Sequence, residues 1–183
     1  MFTLPSALAP YRKAYWLTID HMNEEQKRTY IAWLNDAHAL EESLVVVLEK
    51  QIKELDGKPE MREKLREHLE ETRTHARLMR ACLERNGESP TGGKDLMAKV
   101  GAAISGFSMS MAEDSMVKNV HSSYVAEHME IASYTVIRAA AKELGDMETV
   151  QACDEILVDE NDMAGWLLEQ MPLVTLEYLK EHM

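Results

Sequence analysis

The sequence predicts an all-α protein, a bundle of four long helices joined as two antiparallel hairpins with one long crossover. Three observations support this. Turn formers are few in a chain of 183 residues, 8 Gly and 5 Pro, and they fall between long apolar-periodic segments. Thirteen Met against 2 Phe, with 6% aromatics, favour helix packing over sheets. The tight links come in two places, with a loose stretch of about 25 residues between them, long enough to run the length of a bundle at ~1.5 Å per helical residue.

Taken in order, a short N-terminal helical arm over Leu8 to about Met22 precedes Asn23-Glu-Glu-Gln26, which has the form of a capping box opening the first helix, about 24–56. Asp56-Gly57-Lys58-Pro59 closes it. Pro59 suits the first turn of the second helix, about 59–86, which Gly87 ends. Pro90, Gly92-Gly93, Gly101 and Gly106 mark the crossover, with a short helix near Asp95 to Ile104. The third helix, about 114–144, stops at Gly145, and the fourth, about 147–171, stops at Pro172. The tail carries Leu173, Val174, Leu176, Tyr178 and Leu179 and is expected to dock on the bundle or on another subunit. One domain spanning 1–183 and a ferritin-like arrangement are the expectation.

Composition sets limits on partners. The chain carries 20 Lys+Arg against 32 Asp+Glu, a net charge of −12, which speaks against nucleic-acid phosphates and anionic membranes as partners. With 45% apolar residues it can build a core. Cys82 and Cys153 do not make a disulfide framework and read as core thiols. The start lacks the pattern of a signal peptide, and the longest uncharged run, Val100 to Ala112, is too short to span a bilayer, so a cytoplasmic location is expected.

The acids are the chemical signal. The inward stripe of the first helix runs Leu34, His38, Glu41, Val45, Leu48, Ile52, and that of the second Leu65, His68, Glu71 (with Thr72), His75, Leu78, Cys82. The third gives Val120, Ser123, Glu127, Glu130, Tyr134, Ile137, and the fourth Cys153, Leu157, Glu160, Ala164, Leu167. Each helix is thus expected to aim a carboxylate inward, where an isolated charge costs several kcal/mol. Glu41 and Glu71 lie symmetrically about the first turn, and Glu130 and Glu160 about Gly145, so each pair sits at one depth. Four like charges at one level call for a multivalent cation.

Carboxylates with imidazoles suit iron or manganese, whereas structural zinc sites favour thiolates. The candidate ligands are Glu41, Glu71, His75, Glu127, Glu130, Glu160 and His68. Blander roles stand beside them. Of Glu127 and Glu130, one could be the rim-facing partner of the other, and His68 could be structural. His38 reads as a core histidine bonded to a neighbouring helix. His21, His121 and His182 read as surface residues, His128 lies off the stripe, and Tyr134 reads chiefly as core packing with a donor role as the alternative.

Leu34-Asn-Asp-Ala-His-Ala-Leu-Glu41-Glu-Ser-Leu44, His68-Leu-Glu-Glu71-Thr72 and above all Glu127-His-Met-Glu130-Ile-Ala-Ser-Tyr134 resemble segments of the YciF/YciE family of bacterial ferritin-like stress proteins. The resemblance covers about Tyr30 to Leu168. It implies an often dimeric bundle with a dinuclear carboxylate site, in which Glu41, Glu71, Glu130 and Glu160 are ligands and Glu127 resembles the extra third-helix acid of rubrerythrins. The sequence departs from the wider pattern in two places. Met163 and Ala164 stand where a second fourth-helix ligand is expected, and His75 follows Glu71 by four residues instead of three. No rubredoxin-type Cys-x-x-Cys pair is present. The expected function is a homodimeric protein whose two iron or manganese ions react with peroxide or oxygen. The alternative is a non-enzymatic helical dimer with an empty or structural site, a stress-related binding protein.

Overall fold

A computed structural model describes residues 24–90 and 115–183. The N-terminal arm, the Asn23 cap, His21 and the crossover with its short helix lie outside the described residues. Four helices account for nearly all the rest: α1 (Glu24–Glu54), α2 (Pro59–Arg85), α3 (Ser115–Leu144) and α4 (Met147–Glu181). α1 packs chiefly on α2 and α3 on α4, with α1 against α3 and α2 against α4 completing the bundle. No described helix is long and apolar enough to cross a membrane.

The predicted stops hold where they rest on glycine. Gly57 and Gly145 turn the two hairpins with φ of 69° and 73°, a left-handed conformation that a Cβ would strain. Pro59 begins α2, where its missing N–H costs nothing. Asp146 caps α4, accepting from the Thr149 amide at 3.1 Å. The same carboxylate accepts from Tyr30 Oη at 2.9 Å and Asn86 Nδ2 at 3.1 Å, tying the start of α1 and the end of α2 to the α3–α4 turn.

The expected stop at Pro172 is overturned. α4 runs unbroken through it to Glu181, so the tail is the last part of α4. Proline removes one i→i−4 bond, but Pro172 faces solvent and water can reach the freed carbonyl. Beyond it, Val174 is buried among Leu48, Leu55, Met61 and Leu65, and Glu177 pairs with Lys58 of the α1–α2 turn. Those contacts offset the lost bond.

Besides a small cluster of Leu40, Leu44 and Ala126 between α1 and α3, the core of the described residues holds two large apolar clusters. One, toward Gly145, holds Tyr30, Leu34, Met79, Leu83, Ile137 and Ile156, together with Cys82 and Cys153, both free thiols. The other, toward Gly57, holds Leu48, Leu55, Leu65, Val120, Met163 and Leu167. Between them the stripes of all four helices turn polar: His38 and Glu41, His68 and His75, Glu127 and Glu130, and Glu160 are buried at mid-bundle. Each apolar side chain buried on either side stabilises the fold by ~1.5–3 kcal/mol, which lets the bundle tolerate such a layer.

Candidate metal centre

Among the described residues, two groups of three side chains occupy this layer. Glu41, His75 and Glu160 form one, and His68, Glu127 and Glu160 the other. Within each group the donor atoms lie within 4.8 Å of one another, and all five residues are buried. Glu160 belongs to both. His75 Nδ1 stands 2.9 Å from Glu160 and 3.8 Å from Glu41, while His68 Nε2 stands 3.4 Å from Glu127.

Each imidazole is held from behind. His75 Nε2 meets Asp159 at 3.0 Å and His68 Nδ1 meets Glu71 at 3.0 Å. The opposite ring nitrogen of each histidine therefore faces the buried carboxylates. Carboxylate–histidine pairs of this kind fix the tautomer and orientation of metal-ligating imidazoles. On the α1 side, Tyr134 Oη donates to Glu41 Oε1.

The inner atoms lack partners. Glu41 Oε2, Glu127 Oε2, Glu130 Oε2, both Glu160 oxygens and His75 Nδ1 are buried and make no hydrogen bond. His75 Nδ1 and Glu160 are close, but they are not aligned for one. Orphaned buried acceptors are rare, because each costs about 1–3 kcal/mol, and more when charged. The fields follow. Burial, reinforced by Glu160 and opposed by His75, pushes Glu41 up to about 8. Burial and Glu127, against His75, push Glu160 up to about 7. Burial and the neighbouring acids hold Glu130 well above the usual carboxylate range. Burial alone would lower the histidines, but Glu127 and Glu71 push His68 up to about 10, and Glu160, Glu41 and Asp159 push His75 up to about 9. These buried acids and imidazoles hold protons more readily than they would in water.

The donor set fits iron or manganese. It offers carboxylate oxygens and two imidazoles without thiolate, and Glu160 is shared between two adjacent groups.

A family profile described as "Domain of unknown function (DUF892)" matches residues 25–180, nearly the whole described chain and the crossover. The chain belongs to the DUF892 family. Solved structures agree on the fold. A protein from Xanthomonas campestris pv. campestris is 28% identical, covers 86% of this chain and 98% of its own, and superposes with a TM-score of 0.73. The Escherichia coli stress protein YciF is 18% identical over 84% of this chain and 98% of its own, with a TM-score of 0.71. YcfI of Rhodopseudomonas palustris is 22% identical over 83% and 97%, with a TM-score of 0.67. The resemblance seen in the sequence is thus shown, and the DUF892 bundle is of YciF type.

Of the seven candidate ligands in this DUF892 chain, Glu41, His75, His68, Glu127 and Glu160 make up the two groups. Glu130 is buried beside them, coupled electrostatically to Glu41, Glu127 and Glu160, and belongs to neither group. Glu127 and Glu130 both point inward, so neither is the rim-facing partner of the other. Glu71 is placed differently from expectation. Its side chain is a third exposed, outside both groups, and Thr72 holds the inward position. His68 and His75, seven residues apart, lie within about 20° on the helix, whereas Glu71 is about 40–60° off that line. α2 therefore brings two imidazoles to the layer and no carboxylate. His38 is buried, with Glu42 of its own helix 3.8 Å away and Arg80 of α2 near enough to act on it electrostatically. His121, His128 and His182 are exposed. Asp159 was not among the candidates; being next to Glu160, it lies off the apolar stripe and leaves no periodic signal.

Proposed function

We propose that the polar layer is a dinuclear iron or manganese site that reduces a small oxidant, hydrogen peroxide or dioxygen. The observation that carries this reading is the set of six buried donor atoms without hydrogen-bond partners around the shared Glu160. A pair of cations would satisfy at once the five of them that belong to the two groups. Glu41, His75 and Glu160 would hold one ion, and His68, Glu127 and Glu160 the other. Two such ions, when bound, would supply through their divalent and trivalent states the two electrons needed to turn hydrogen peroxide and two protons into two waters.

The side chains do the rest. Asp159 and Glu71 keep each imidazole lone pair aimed at the layer. Tyr134 donates to Glu41 Oε1 and fixes that carboxylate from behind. The apolar clusters on both sides exclude bulk water, which strengthens every charge interaction between them. Escherichia coli YciF is described as a stress protein, and an oxidant-reducing site in this chain would serve a stress role.

The test is to purify the protein from cells fed iron or manganese, count the metal, and follow peroxide added in excess of it. Two equivalents per chain and multiple-turnover peroxide loss with an added reductant are expected. Less than half an equivalent of any transition metal would overturn the reading. A second reading, a charge network with no metal, is favoured by the close His75–Glu160 and His68–Glu127 pairs. It predicts that transition-metal ions leave the melting temperature unchanged.

A further inference from the structure

A small cavity of about 20 Å³ lies beside the polar layer in the seam between α1 and α3. His68, Glu127 and Glu130 form its inner end, and Leu44, Leu48 and Ala126 its apolar walls. Its outer end is half-buried and polar. There Gln51 Nε2 donates to Ser123 Oγ at 3.3 Å, bridging the two helices, with Val47 alongside. Two of the unpaired oxygens, Glu127 Oε2 and Glu130 Oε2, belong to residues lining this space.

We propose that this cavity is the route and waiting site of the oxidant, and that it sets the substrate class. The inference rests on the metal reading and deepens it. A space of that volume accepts about one water-sized molecule. Dioxygen and hydrogen peroxide, with two heavy atoms each, fit with little movement of the walls; an alkyl hydroperoxide does not. The apolar walls suit a neutral guest, and the Gln51–Ser123 pair offers hydrogen bonds to one on its way in. The guest then arrives at the His68–Glu127–Glu160 group, not at the Glu41–His75 group, whose members do not line the cavity. Glu130 belongs to neither group yet borders the cavity, so it is the carboxylate placed to meet the incoming molecule.

The experiment uses the full chain loaded with iron(II) without air, and nitric oxide as a neutral two-atom probe. Stopped-flow absorbance follows the iron–nitrosyl band, and bound iron is counted separately. Ser123→Met, at a half-buried position that tolerates a longer side chain, narrows the outer end. It is expected to slow the band at least tenfold while iron binding stays at the wild-type level. Val47→Ala widens the same end and is expected to speed iron oxidation by tert-butyl hydroperoxide several-fold with little change for hydrogen peroxide. An unchanged nitrosyl rate in Ser123→Met overturns the route. Equal oxidation of the wild type by the two peroxides overturns the size limit. A wild-type chain that binds no iron overturns the metal reading and this proposal with it, an outcome visible in the iron count before any rate is read.

Discussion

Replacing Glu160 with glutamine separates a metal ligand from an ordinary buried side chain. Glu160 is fully buried, neither of its oxygens has a hydrogen-bond partner, and it belongs to both candidate groups. Burial and Glu127, against His75, push its carboxyl from 4.5 up to about 7, so the ionised form above that pH costs the metal-free fold about 3 kcal/mol. Glutamine keeps the shape and removes the charge. Part of the gain is lost because His75 loses its nearest carboxylate, which leaves a net stabilisation of about 1–2 kcal/mol. At about 2–4 °C per kcal/mol for a chain of this size, metal-free Glu160→Gln melts about 2–8 °C above the wild type at pH 8. With manganese(II) at a hundred times its dissociation constant, the wild type gains about 2.7 kcal/mol, or about 5–11 °C. The variant gains less than about 2 °C. Calorimetric scans of both proteins with and without manganese give all four numbers. A variant that melts several degrees below the wild type without metal, yet keeps the full manganese shift, would show that Glu160 is an ordinary buried side chain and not a shared ligand.

Other outcomes follow from the same layer. Asp159→Asn, which weakens the hold on His75 Nε2, should lower metal affinity about 10–100-fold with little change in metal-free stability, as read by calorimetric titration. Tyr134→Phe leaves Glu41 Oε1 without its donor and should cost about 1–3 kcal/mol in chemical denaturation. Glu41, Glu160, His68 and His75 all take up protons more readily folded than unfolded, with values of about 8, 7, 10 and 9. Their contribution to stability is present at low pH and lost as pH rises through those values. The melting temperature of the metal-free protein should therefore fall between about pH 5 and 10. Saturating manganese should flatten or reverse that slope, since its ligands must lose their protons; a flat metal-free profile would contradict the placement of these groups.

Much of this was legible in the residues, for identifiable physical reasons. Helix ends at Gly57, Gly87 and Gly145 could be read because a left-handed turn leaves few alternatives to glycine. Glu41, Glu127, Glu130 and Glu160 stood out because steps of three and four place them on otherwise apolar faces. Where the sequence reading failed, tertiary contacts decided. Pro172 stops a helix only if nothing beyond it packs, and Val174 and Glu177 both find partners. Glu71 and Thr72 are neighbours on the edge of one stripe, and helix rotation, which a one-dimensional pattern fixes only to within a residue, turned Thr72 inward. Asp159 acts through His75 across the α2–α4 interface, a pairing that only the assembled register reveals.

The proposed pair of metal ions around Glu160 can be looked for by anomalous diffraction from crystals of iron-loaded protein, measured on both sides of the iron absorption edge. Two peaks are expected, one among Glu41, His75 and Glu160 and one among His68, Glu127 and Glu160, both vanishing below the edge. A layer without anomalous density, its carboxylates bridged by waters and histidines, would make it a metal-free charge network and rule out the dinuclear site.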